Sequence, residues 1–164
     1  IAALGAFGVE AAIDVKPELA RVLDLERRTT AAYQTEFDEL KKGRVTADAV
    51  AQLAEATIVS QWQSADARLG SLKGVPAEHR QAVDDAREYV RLRCASWRAR
   101  GAAIRKAYAA PPRKPEGADD TAWRLELSAR FRSDGLARAK AEGAERASRE
   151  ALQRIEHFLS EKHT

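Results

Sequence analysis

The stretch Glu88 to Lys106, EYVRLRCASWRARGAAIRK, gathers most of the residues in this chain that could do chemistry. It holds the only cysteine, one of three tryptophans, and six basic residues with no acid after Glu88. Three chemistries fit those residue types: a reactive thiolate, a basic nucleic-acid-binding helix, or one wall of a helical bundle. Arginines beside Cys94 would favour its thiolate. Yet Cys94 stands four residues after Val90 and three before Trp97, on an apolar seam where free cysteine acts as a small buried hydrophobe. The structural reading is the better one.

Around that seam the arginines fall in a regular pattern. With Cys94 and Gly101 as heptad a positions, Arg91, Arg98 and Arg105 are e positions, while Arg93 and Arg100 are g positions. These five form a candidate interaction surface. Nucleic-acid binding needs such a ridge exposed, preferably with exposed aromatics. Trp97 instead falls on the seam, and the net charge is only +3, from 28 basic and 25 acidic residues. Pairing with acids of neighbouring helices, such as Glu36 or Glu126, is the favoured expectation.

Other chemistry is excluded by pattern. One cysteine rules out an intramolecular disulfide and a multi-cysteine metal site. His79, His157 and His163 stand in no Glu-x-x-His arrangement, which argues against a carboxylate-bridged dimetal bundle. There is no methionine for an axial haem ligand. No glycine-rich phosphate loop follows a strand, and no nucleophile stands with a base and an orienting group. No catalytic residue, metal or cofactor is expected, and the chain reads as a non-enzyme.

The elements that carry these residues are helices. Alanine, leucine, arginine and glutamate dominate, charged residues reach 32% and aromatics only 6%, a composition suited to helix. Pro17 and Glu18 suit an opening turn and Gly43 a stop. Thr46 is an N-cap candidate, Gly74 a second stop, and Pro76 a restart. Prolines at 111, 112 and 115 forbid a helix across 110–119, after which Asp119 or Asp120 caps a last one. The helices are expected at about 16–42, 47–73, 76–109 and 120–162, in one domain from 14 to 164 behind an apolar segment 1–13. Short first and second turns make an all-α, antiparallel up-down four-helix bundle the simplest arrangement. A break near Gly135, or a helix in the N-terminal segment, would add a fifth.

Heights follow from the 1.5 Å rise per residue. Glu26 and Arg87 fall on inward faces at one level with Trp62, and small Ala141 or Ala144 stand opposite. The expectation is a buried polar layer in which Glu26 pairs with Arg87 near Trp62; such pairs specify register more than they stabilise. The same count places Phe37, Leu53, Trp97 and Phe131 in a second, aromatic layer.

The stretches LERRTTAAY, GRVTADAVAQL, VPAEH and YVRLRCASW, over roughly residues 14–108, resemble an uncharacterised bacterial helical domain found beside membrane segments, including as an appendage to some rhomboid-type membrane proteins. The resemblance implies an extramembrane module tethered upstream of Ile1, on either the cytoplasmic or the periplasmic face. It carries over no rhomboid catalytic residue, because none is matched here. A free, soluble bundle remains the alternative setting. The functional expectation is an interaction or sensory module, with a protein partner or a second copy of the chain. The alternatives are a small-molecule-binding bundle anchored at the Glu26–Arg87 level, and a basic nucleic-acid-binding protein.

Overall fold

A computed structural model describes residues 12–161, and every regular element among them is helical. Of the apolar segment 1–13 only Ala12 and Ile13 are described, and His163 also lies outside the described residues. Helix α1 (Lys16–Lys41) opens with Pro17 in its first turn, and the Asp14 carboxylate accepts the Lys16 amide at 3.0 Å. Gly43, at φ 72°, turns the chain out of the helix. A methyl group there would face the left-handed penalty that glycine escapes.

Thr46 then caps α2 (Ala47–Gln52), its hydroxyl accepting the Ala49 amide at 3.1 Å. A π-helical stretch (Leu53–Ile58) leads directly into α3 (Val59–Gly70), so the three pieces make one rod. The π turn has a cause in the sequence. Val50, Ala54, Ile58 and Trp62 are all buried and spaced by four. At 3.6 residues per turn such a run drifts round the helix, and the wider i→i+5 turn keeps it facing one way.

A single 3₁₀ turn (Ala77–His79) precedes α4 (Arg80–Ala107). After the proline-rich linker, Asp119 caps α5 (Asp120–Ser160) by accepting the Ala122 amide at 2.8 Å. Helix α5 runs unbroken through Gly135. The expected break does not occur, because an interior glycine costs only about 1 kcal/mol relative to alanine and no proline follows it. The helix ends expected at 42, 73, 109 and 162 fall at 41, 70, 107 and 160.

Helix α4 is the centre of the core. It buries the expected seam of Val83, Val90, Cys94, Trp97, Gly101 and Ile104, and also a second stripe of Ala82, Ala86, Tyr89, Arg93 and Ser96. A helix buried on two sides needs neighbours on both, and α4 touches α1, the α2–α3 rod and α5. On α1 the buried residues are Leu19, Val22, Leu25, Thr29 and Leu40, while Leu23, Glu26, Tyr33 and Phe37 are half-buried beside them and Thr30 is exposed. Tyr108, four residues after Ile104, is half exposed just beyond the end of α4.

Long-range contacts fix the levels. The Ile13 amide donates to the Gly74 carbonyl at 3.1 Å, and Lys16 Nζ to the Glu161 carbonyl at 2.9 Å. His79 meets Phe158 edge-on at 5.3 Å. At the other end Arg105 bonds Asp48 at 2.9 Å, while Lys106 pairs with Asp134. Asp134 is the fifteenth residue of α5, so about 21 Å of that helix precedes the level at which α4 ends.

This overhang corrects the second layer expected from heights. Phe37, Leu53 and Trp97 are buried or half-buried, but Phe131 is 72% exposed. The count gave Phe131 a partner level on the other helices, whereas α4 ends at the level of Asp134 and Phe131 lies beyond it.

Candidate functional site

The buried polar layer exists, with a different arginine. Arg93, 3% exposed, sends Nε and Nη2 to the two oxygens of Glu26, both at 2.8 Å. This two-pronged pairing is the strongest geometry that arginine and a carboxylate can adopt. The remaining Nη1 donates to Glu145 Oε2 at 3.2 Å and to Ser96 Oγ at 3.3 Å. The Ser96 hydroxyl in turn donates to Glu145 Oε2 at 2.7 Å. Arg100 approaches Glu145 from outside at 3.6 Å. One cluster thus ties α1, α4 and α5 together, with two carboxylates balanced by two guanidiniums.

The expected Glu26–Arg87 pair does not form. Arg87, about a third exposed, bonds Asp66 of α3 at 2.9 Å and lies against Gly70. It sits on the edge of α4 that faces the α2–α3 rod, whereas Glu26 faces the second stripe. Trp62 is fully buried at the expected level, but its neighbour is Tyr89, edge-on at 5.6 Å. Ala141 and Ala144 are half-buried, and α5 contributes Glu145 to the layer.

Electrostatics within the cluster follow from this packing. Burial would raise the carboxyl of Glu145, but the Ser96 hydroxyl and the charges of Arg93, Arg100 and Arg149 outweigh it and hold it below the usual range. Burial, aided by the charge of Glu26, pushes the Tyr89 phenol far above its usual value. Trp97 lies under both Arg93 and Arg100, 5.0 and 4.9 Å from its ring centre, and meets Tyr33 edge-on at 5.1 Å. Cation–π attraction therefore adds to the ion pairs.

The arginines proposed as a surface divide. Arg93 belongs to the interior. Arg105 bonds Asp48 and Glu55, Arg91 approaches Asp66 at 3.7 Å, and Arg100 approaches Glu145. Arg98 alone among the five is exposed with no ion-pair partner among the described residues. Acids of neighbouring helices do neutralise the ridge, but they are Glu26, Asp48, Glu55, Asp66 and Glu145, not Glu36 or Glu126. Glu126 bonds Arg130 one turn on. The Glu55 contact needs Gly101: a Cβ there would stand 2.3 Å from Glu55 Cγ.

Cys94 packs with Val59 and Trp97 in the core, and burial first, with Arg98 opposing, pushes its thiol up rather than down. That is the setting of a structural cysteine, not of a thiolate nucleophile.

Compared with protein-family models, characterised proteins and solved structures, the chain matches none. Its function must therefore be argued from geometry. Sequence reasoning missed Ser96, Glu145 and the inward turn of Arg93. The signal for two of them was present: Ala82, Ala86, Tyr89, Arg93 and Ser96 repeat by four and three, the mark of a second buried face. Nothing in the alanine-rich surroundings of Glu145 distinguishes it from other acids of α5.

One opening, lined by Glu142, Glu145, Arg146 and Arg149, borders the cluster, and a larger one lies away from it. A groove between the linker and α5 is lined by Lys106, Ala109, Pro111, Pro112, Leu127 and Phe131. No helix is long and apolar enough to cross a membrane, and no group of three or more potential ligands is placed to hold a metal, among the described residues.

Proposed function

We propose that this chain is a non-enzymatic interaction module: an antiparallel up-down four-helix bundle that docks other protein through the overhanging first half of α5. The close approach of the α1 start, α3 end, α4 start and α5 end supports that topology. One observation carries the function. Four large apolar side chains are exposed among the described residues, and Leu125, Phe131 and Leu136 of α5 are three of them. Exposed apolar residues gathered on one element mark an interaction site more often than scattered ones do.

The buried ion cluster supports a structural role for itself. Both oxygens of Glu26 and all three nitrogens of Arg93 are engaged within the chain, so neither side chain is free to anchor a small polar ligand. The arginine ridge gives equally little support to a nucleic-acid reading, since most of its charge is spent on internal acids. A membrane tether upstream is the setting that the resemblance adds.

The test places a photo-crosslinking amino acid at Phe131, and at exposed Ser60 on α3 as the control, in the native cell. Protein adducts at 131 and not at 60 are expected. Equal labelling at both sites, or none at 131, would remove the docking role of α5.

A further inference from the structure

The outward face of α5 can be read residue by residue. At 100° per residue, Leu125, Ala129, Arg132, Leu136, Ala139 and Gly143 fall within a stripe about 80° wide. Leu125 is 65% and Leu136 74% exposed, and Ala129, Arg132 and Ala139 are exposed as well. The stripe lies opposite the face carrying Asp134, Glu145, Ser148 and Ile155, which packs on the other helices. It runs about 27 Å, at 1.5 Å per residue over 18 steps.

We infer that this stripe is an interface with a second copy of the same chain, the two α5 helices crossing antiparallel about a twofold axis near residues 133 and 134. The inference rests on the docking role of α5 proposed above and names its occupant. Three observations lead to it.

The first is steric. Antiparallel pairing centred on 134 sets Leu125 over Gly143 of the second copy, Ala129 over Ala139, and Leu136 over Arg132. Large meets small in the outer layer, and the aliphatic stem of Arg132 covers Leu136. A parallel pairing would instead stack Arg132 on itself across the axis.

The second is charge. Arg124 and Glu142 flank one side of the stripe, and Glu126 and Lys140 the other. Pairing Arg124 with Glu142 of the second copy, and Glu126 with Lys140, places both centres at residue 133, one step from the seam's own centre. Arg124, Lys140 and Glu142 have no ion-pair partner among the described residues of their own chain. Opposite charges that match under a twofold operation are what an isologous interface requires.

The third is the pair of glycines inside α5. A Cβ at Gly135 or Gly143 would meet nothing within 4 Å. Packing within the chain therefore gives no reason for either, and each weakens the helix relative to alanine. On the interface, Gly135 flanks the axis and Gly143 receives Leu125, so close approach of a second helix explains both.

The experiment is disulfide trapping in a Cys94→Ala background of the full chain. Ala129→Cys and Ala139→Cys proteins are mixed under mild oxidation and compared with each alone. A cross-linked dimer that forms at least ten times faster in the mixture is expected. Equal or faster trapping of Ala129→Cys with itself would overturn the antiparallel register. Sedimentation of the unmodified chain gives the second readout: a concentration-dependent dimer, weakened about tenfold or more by Glu126→Lys and restored by adding Lys140→Glu. A strict monomer up to millimolar concentration would overturn the inference. It would leave the docking role of α5 standing if position 131 still crosslinks a different protein.

Discussion

Arg93 shows how one residue decides the interior of the molecule. Its guanidinium is desolvated, so its favourable contacts with Glu26, Glu145 and Ser96 offset a burial cost rather than adding freely to stability. Arg93→Met therefore strands the carboxylate of Glu26 beside apolar neighbours. Urea titration is expected to show a loss of about 3–5 kcal/mol, the range for breaking a buried pair. Adding Glu26→Leu to Arg93→Met should return most of that loss, because the unpaired charge is then gone. A double variant as unstable as the single would show that the pair stabilises outright. Glu145 gives a pH dependence of defined sign. Its carboxyl is held low in the folded chain, so its charge favours folding fully above the ordinary pKa of about 4.3 and ceases to as pH falls through the folded value. Stability followed by urea midpoint between about pH 5 and 3 is expected to fall less steeply in Glu145→Gln than in the parent. The inward direction of Glu26 was legible from its spacing after Leu19 and Leu23. The partner was not, because the seam through Val90, Cys94 and Trp97 leaves Arg93 on the flank unless a second buried face is recognised.

Helices were the most legible part of the molecule, since Pro17, Gly43, Thr46, Gly74 and the prolines of the linker punctuate the chain by local sterics alone. What local signals could not supply was the meeting of the second rod with α4. That meeting depends on the π turn at Leu53–Ile58, which carries Glu55 across Gly101 to Arg105. Two helices touch there through a glycine, so a single methyl should matter. Gly101→Ala must displace the Glu55 side chain and break its bond with Arg105, an overpacking cost of about 1–3 kcal/mol by thermal or urea unfolding. Glu55→Ala removes the obstruction, and the pair of substitutions should be less destabilising than the sum of the singles. Strict additivity would mean that Gly101 serves some purpose other than admitting Glu55. Arg105, read as a surface group from its heptad position, is exposed but spends its charge on Asp48 and Glu55 of the same chain.

At the scale of the whole molecule, α5 behaves as two elements within one continuous helix. Its second half buries Ser148, Ala151 and Ile155 and bonds the cluster through Glu145, while residues before Asp134 extend past the end of α4. Spacing alone could not separate the halves: Trp123, Leu127 and Phe131 repeat like core positions, and only the end of α4 near Asp134 shows that no helix stands beside Phe131, which borders a groove with the linker instead. Stability should follow this division. Ile155→Ala empties a fully buried site and is expected to cost about 2–5 kcal/mol, whereas Phe131→Ser should shift stability by less than about 0.5 kcal/mol. Amide exchange extends the comparison along the helix. In dilute solution the amides of 122–133 should open by local fraying, with protection far below that of 146–156, whose opening requires disruption of the core. If a second copy covers the outward stripe, protection of 122–133 must rise with protein concentration while that of 146–156 stays nearly constant, because mass action stabilises only what the second copy binds. Exchange that is uniform along α5 at every concentration would contradict both the division of the helix and the docking role proposed for it.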